Sequence, residues 1–267
     1  MSTPTIHTTQ VGESGARVVF LHGLMGQGKN FTQAAKALQP EFCSLLVDLP
    51  DHGKSAWTDR VDYVVFADTI ADHLRVGFAA EGPVHLVGHS MGGKVAMTLA
   101  LRHPDLLDRL VIVDISPNVS ERAGEFAHLL GSLAALDLAT LERRSDADEA
   151  LRGPIPSDTV RQFLLQNLRA TDDGGYAWQA NLDVLRRDLD VIGDFPEIDA
   201  VFDHPVLWIA GEKSDYVEEE DEPVMRALFP RTRLVTIKDA GHWVHSEQPE
   251  AFVSALKVFL GAAGSSS

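Results

Sequence analysis

An α/β fold built on a mostly parallel, doubly wound sheet is predicted by three features of the chain. Six short runs are apolar on both faces, as strands enclosed between two helical layers must be. Stretches with helical period separate most of them. One long interval, 118–203, has helical periods and no strand signal, so a helical lid is expected there, inserted between two late strands of a core formed by 1–117 and 204–260.

The strand runs are Arg17–Leu21, Cys43–Leu49, Val84–Val87 and Leu110–Ile115, then Val206–Ala210 and Leu234–Ile237 after the gap. Met91, Val95 and Leu99 fall four apart and stop at Pro104, which cannot continue a helix. Near the end, Pro249 suits a first helical turn, and Phe252, Leu256 and Phe259 form one stripe. Inside the interval, Phe126, Leu129, Leu130, Leu133 and Leu136 make a first helical stripe. Val160, Phe163, Leu164 and Leu168 make a second, and Leu182, Leu185 and Leu189 a third, with Thr171-Asp-Asp-Gly-Gly175 as punctuation between these two. Residues 261–267 are small and polar, and a flexible tail is expected.

The 267 residues suit one large α/β domain, and 45% apolar with 23% charged residues is ordinary globular composition. Charge is less ordinary: 39 Asp and Glu against 23 Lys and Arg leave −16. Such a surface repels phosphate backbones and anionic lipid, so neither nucleic acid nor membrane is an expected partner. No apolar run approaches the ~18–20 residues that span a bilayer. The first residues lack the basic and apolar regions of a signal peptide, and a cytoplasmic protein is expected. The single cysteine, Cys43, lies in an apolar run and reads as a core thiol. A monomer or homodimer acting on a small molecule fits these bounds.

Chemistry concentrates where strands end. Gly88-His89-Ser90-Met91-Gly92 lies between a predicted strand and a predicted helix. There it reads as a turn that strains Ser90 into the open, at the positive end of a helix dipole. A serine hydroxyl needs a base. Of 11 histidines, His242 is favoured, after the last strand and before the final helix, with His245 competing. His85 and His89 read as core residues. The base needs an acid, for which Asp114, ending the fourth strand run, and Asp215, in the loop after the fifth, both qualify. His22-Gly23-Leu24 follows the first strand run, and the N–H groups of Leu24 and Met91 are candidates for an oxyanion hole.

These motifs resemble the α/β-hydrolase family over nearly the whole chain, through His22-Gly23, Asp48-Leu-Pro-Asp-His-Gly53-Lys-Ser55, Gly88-His-Ser-Met-Gly92 and Gly241-His242. More narrowly, Val113-Asp114-Ile115-Ser116-Pro117, Trp178-x-x-Asn181-Leu182 and Gly241-His242-Trp243-Val244-His245 are similar to the small YbfF-type bacterial acyl esterases. Most of the family carries its acid at the position of Ser214. The YbfF-type proteins use the earlier strand end instead, and the resemblance therefore implies Asp114.

Ser90, Asp114 and His242 are accordingly expected to act as a Ser-His-Asp triad. The expected substrate is a small-molecule acyl ester of short-to-medium length, with no cofactor and no metal. A thioesterase, lactonase, perhydrolase or carbon–carbon bond hydrolase would use the same apparatus. A binding protein that kept the fold without catalysis is the reading from another class. Gly23-x-x-x-x-Gly28-Lys29-Asn30 nearly spells a phosphate-binding loop but lacks the final Ser or Thr. His242-x-x-His245 lacks the further ligands of a metal site. The acidic run Glu218–Glu222 reads as a solvated surface. Met25 and Met91 are open between pocket wall and core, and Trp178 between the lid's inner face and its own core.

Overall fold

The computed structural model describes residues 5–119 and 123–261, and the tail expectation for 262–267 falls outside them. Among the described residues there are nine strands: β1 (Thr8–Val11), β2 (Ala16–Leu21), β3 (Phe42–Val47), β4 (Val84–His89), β5 (Leu107–Val113), β6 (Leu168–Ala170), β7 (Tyr176–Trp178), β8 (Val206–Gly211) and β9 (Thr232–Ile237). Seven form one sheet in the order β1-β3-β2-β4-β5-β8-β9, in which only β1 runs antiparallel to its neighbour. The core helices are α1 (Thr32–Ala37), α2 (Tyr63–Arg75) and α3 (Met91–Arg102). Between β5 and β8 come α4 (Ala123–Ala134), α5 (Arg144–Leu151), α6 (Asp158–Leu165), α7 (Leu182–Arg187) and α8 (Leu189–Gly193). The remaining helices are α9 (Glu222–Leu228), α10 (Val244–Glu247) and α11 (Pro249–Leu260).

Strand alternation divides the core into two layers. Val19, Leu21, Leu86, Leu110 and Ile112 face α2 and α3, whereas Val18, Phe20, Val87, Val111 and Val113 face α1 and α11. Both layers are buried, which is why these strands carry apolar residues at consecutive positions. Leu130, Leu164, Leu165 and Leu185 from the inserted segment join the first layer, so the insertion shares the core's apolar mass.

The structure corrects the reading of 118–203 in two places. Leu168 does not extend a helical stripe; it opens β6, which pairs with β7 in a two-stranded hairpin around Thr171–Gly175. Strands of three residues are too short for alternation to register, and the Asp-Gly punctuation that closes the hairpin was the only local trace. The third stripe is two helices, because the chain turns at Asp188 between α7 and α8. β1 also went unread. It is an edge strand with half-exposed Thr, Gln and Val, and edges need no continuous apolar face.

Parallel pairing brings the carboxyl ends of β2, β4, β5 and β8 to one rim, where ligands of open α/β sheets bind. The β4–α3 turn is the tightest point there. A methyl group on Gly92 would lie 2.4 Å from the His22 carbonyl oxygen and 2.5 Å from that of Leu21; one on Gly88 would lie 2.3 Å from the Gly92 carbonyl oxygen. All of these neighbours are backbone and cannot swing aside. Gly92→Ala should therefore cost about 1–3 kcal/mol by overpacking, read as a lower urea midpoint at unchanged m-value. A midpoint equal to wild type would mean that strand and helix tolerate separation.

Candidate active site

Ser90 links β4 to α3 with φ 53° and ψ −122°, a conformation that L-residues rarely adopt. Backbone bonds hold it there: its N–H donates to Val113 O at 3.0 Å, and its carbonyl accepts from Gly93 and Lys94 N–H at 2.8 and 3.1 Å. Asp114, one strand over, is also left-handed at φ 53°, and its N–H donates to Ile209 O at 2.8 Å. Adjacent strands thus end in sharp turns that lift two functional side chains above the rim.

The Asp114 carboxylate is fully buried and meets three donors: Gly211 N–H at 2.9 Å, the Ser214 hydroxyl, and His242 Nδ1 at 2.8 Å. A carboxylate only accepts, so the His242 proton sits on Nδ1. This leaves Nε2 with its lone pair towards Ser90 Oγ, 3.0 Å away. Tyr216 stacks on the His242 ring at 3.9 Å between centroids and 22° between planes. On another side, His89 Nε2 donates to the His242 carbonyl at 2.8 Å. Glu247 closes the loop by accepting from Gly241 and Trp243 N–H at 2.8 and 3.2 Å.

The other imidazoles near this site are kept neutral at pH 7. Burial, reinforced by the neighbouring His242 charge, pushes His245 down to about 4 and His89 well below the usual histidine range. Burial and His52 take His22 down to about 3, and burial also lowers His52. Both rings of this pair are wired by their protons. His22 donates from Nδ1 to Gly23 O at 2.8 Å and accepts the Leu49 N–H at 3.0 Å; His52 donates to Pro50 O at 2.9 Å and accepts the Met25 N–H at 3.1 Å. The turn after β2 is thereby pinned to the turn after β3. Met25 N–H is engaged by His52, whereas the N–H groups of Leu24 and Met91 have no hydrogen-bond acceptor among the described residues.

The phosphate-loop alternative fails on the same ground. Gly28 N–H, which would face a phosphate, donates instead to Asp48 Oδ1 at 2.8 Å, and Asp48 Oδ2 accepts from Lys54 N–H at 2.9 Å. A carboxylate in that position repels an anion.

Two pockets meet at Ser90, of about 420 and 410 Å³ with their open mouths included. The first is walled by Phe31, Phe126, Phe163, His242, Trp243 and His245, among others. The second is walled by Met91, Lys94, Ile115, Leu189, Ile192 and Tyr216. Leu24 and Phe126 border both. Met91 therefore faces a pocket while Met25 is core, and Trp178 packs on the core rather than on either wall. Asp215 lies beside Ser214 in the loop after β8, and the carboxylate bonded to His242 is that of Asp114. Sequence reasoning missed Ser214, Tyr216, Lys94 and the wiring of His22 and His52. Of these, His22 and His52 lay in motifs already noticed, and Ser214 had been read only as the position where most of the family carries its acid.

The alpha/beta hydrolase family model matches residues 18–255. The chain belongs to this family. Over 249 residues this α/β hydrolase is 37% identical to the sn-1-specific diacylglycerol lipase ABHD11 of Danio rerio, covering 91% of this chain and 78% of that one. It is 32% identical to Esterase YbfF of Escherichia coli, covering 95% and 96%. Among solved structures, a marine microorganism esterase superposes with TM-score 0.92 at 32% identity, over 96% of this chain and 99% of that one. Among its described residues, no helix of the hydrolase is long and apolar enough to cross a membrane.

Lys94 gives this α/β hydrolase a measurable pH signature. The side chain is buried, and its Nζ donates to the carbonyls of Gly193, Asp194 and Asn118 at 2.5, 2.9 and 3.2 Å. Burial lowers it from the ordinary 10.5 to about 8, against the pull of Asp194. Between pH 8 and 10.5 the unfolded chain then binds more protons at this site than the folded one, so stability gains with rising pH. The stability of wild type relative to Lys94→Met should climb across that window in urea titrations. A difference that stays flat would contradict the assignment.

Proposed function

We propose that this chain is a serine carboxylesterase for short-to-medium acyl esters, with Ser90 as nucleophile, His242 as base and Asp114 as the acid that orients it. Relatives named as esterases and lipases at 32–37% identity carry the assignment to ester bonds. The triad rests on the unbroken relay from Ser90 Oγ through His242 to Asp114, at 3.0 and 2.8 Å.

The steps follow from the geometry. Ser90 Oγ attacks the ester carbonyl carbon while its proton passes to His242 Nε2. Charge gathers on the former carbonyl oxygen, and the free N–H groups of Leu24 and Met91 face it. One such donor is worth about 3–4 kcal/mol in the transition state. The Asp114 carboxylate stabilises the imidazolium. The bond to the alcohol oxygen then breaks, and that oxygen takes the proton from Nε2. A water gives its proton to His242, attacks the acyl-enzyme and releases the acid, returning the proton to Ser90. Ser90 and His242 supply all the proton transfers, so the reaction draws on no cofactor or metal.

Residues 118–203 serve as the lid over the core of 1–117 and 204–260. The reading is supported by Phe126, Phe163, Leu189 and Ile192, which reach the pockets from that segment. Asn167 Nδ2 ties it to Met25 O at 2.7 Å, and Asn181 Nδ2 ties it to Asp51 at 2.8 Å.

Ser90→Ala should reduce hydrolysis of a p-nitrophenyl short-chain ester by about 10⁴-fold or more, and a fluorophosphonate should label Ser90 in the wild type alone. Asp114→Asn should cost a comparable factor and Asp215→Asn little. Undiminished turnover in Ser90→Ala ends the proposal, and the reverse ranking of the two aspartates reassigns the acid. Thioesters turned over far faster than the matching oxygen esters would move the substrate class to thioesters.

A further inference from the structure

We infer that the two pockets meeting at Ser90 divide the ester between them: the alcohol lies in the aromatic pocket beside Trp243, and the acyl chain in the aliphatic pocket between α3 and α8. This rests on the ester-hydrolase reading above and names which residues set each half of its specificity.

The argument begins from the leaving oxygen. It must receive a proton from His242 Nε2, so the group it carries has to leave on the side that His242 walls. His242 borders the first pocket and is absent from the second. Trp243 and His245 follow it on that wall, with Phe163 and Phe31. The Phe163 and Trp243 rings lie 5.8 Å apart. The acyl chain needs the remaining direction from the carbonyl carbon, past the Met91 N–H. Met91 borders only the second pocket.

The second pocket is built for a chain. Ile115, Leu189 and Ile192 supply an aliphatic wall, and Lys94 lies at its depth. That lysine presents its stem, because its three donors are consumed by the carbonyls of Asn118, Gly193 and Asp194. Gly193 also borders the pocket, so the bond from Lys94 fixes the wall whose position limits chain length. Tyr63 Oη fixes the same helix by donating to Ile192 O at 2.7 Å. Ile192 is thereby a specificity residue for the acid half, and Phe163 for the alcohol half.

The test uses two ester series on the full chain. p-Nitrophenyl acetate, butanoate, hexanoate and octanoate vary the acid alone. Ethyl, butyl and benzyl acetates, followed by proton release, vary the alcohol alone. Selectivity ratios within a series cancel differences in folded fraction between preparations. Ile192→Ala should raise the octanoate-to-acetate ratio of kcat/KM by about tenfold, and Ile192→Phe should lower it by about as much. Both should leave the benzyl-to-ethyl ratio within twofold. Phe163→Ala should move the benzyl-to-ethyl ratio and leave the acyl ratio. If the Ile192 variants shift the alcohol series instead, or neither series, the assignment is overturned while ester hydrolysis stands. If the wild type cleaves no ester and Ser90 takes no fluorophosphonate, the underlying reading falls with it.

Discussion

The rim of the sheet is organised around one buried negative charge, the carboxylate of Asp114. A carboxylate withdrawn completely from water is tolerable only when its lone pairs meet donors. Here the donors come from the end of β8 and two loops: Gly211 closing β8, Ser214 just after it, and His242 after β9. Satisfying the charge therefore fixes where both loops sit. The left-handed turn at Asp114 aims the carboxylate at them, and the Asp114 N–H bond to Ile209 ties that turn to the next strand. Remove the carboxylate and His242 loses the partner that sets its tautomer, while Gly211 and Ser214 lose an acceptor.

A second layer of order comes from histidines that carry no charge. Ionisable imidazoles packed this closely around His242 would compete with it for a proton. Burial removes that competition, because a desolvated imidazolium is costly. His89 and His245 stay neutral beside His242, and their rings pack within 4.8 Å of each other. Neutral rings still make directional bonds, and His89 spends its Nε2 proton on the His242 carbonyl. His22 and His52 do the same for the turn that offers the Leu24 N–H. Thus these neutral histidines brace the rim around His242, the one ring in this group bonded to a carboxylate.

Most of the sheet was legible because a doubly buried strand leaves a local mark, consecutive apolar residues bounded by turns; β9 carries the same mark but is an edge strand whose middle residues are exposed. Ser90 and His242 were legible because each sits in a glycine-rich motif whose shape is set within five residues. Asp114 was ambiguous from its own neighbours, since Asp215 also follows a strand, and only similarity to a known group separated them. β1 and the β6–β7 hairpin left no such mark, being an exposed edge and two three-residue strands. Ser214, Tyr216 and Lys94 escaped for another reason. The roles of Ser214 and Lys94 arise from contacts across about a hundred residues, to Asp114 and Gly193, and Tyr216 meets His242 from a separate loop; nothing local distinguishes them from ordinary surface or core residues.

The position of the acid has a consequence for the loop after β8. With the carboxylate on β5, that loop no longer has to deliver a charge to His242, and Ser214 needs only to donate to Asp114. A hydroxyl there neutralises none of the charge and leaves His242 as the one cationic partner when it is protonated. The residues that follow are then free to do something else: Tyr216 lies flat on the imidazole and also walls the second pocket. A ring in that place shields one face of His242 from water and strengthens its bond to Asp114 by lowering the local dielectric. With the carboxylate one strand over, the loop after β8 covers the His242 ring with Tyr216 instead of supplying its carboxylate partner. The same side chain comes to border both the His242 ring and the space beside Ser90.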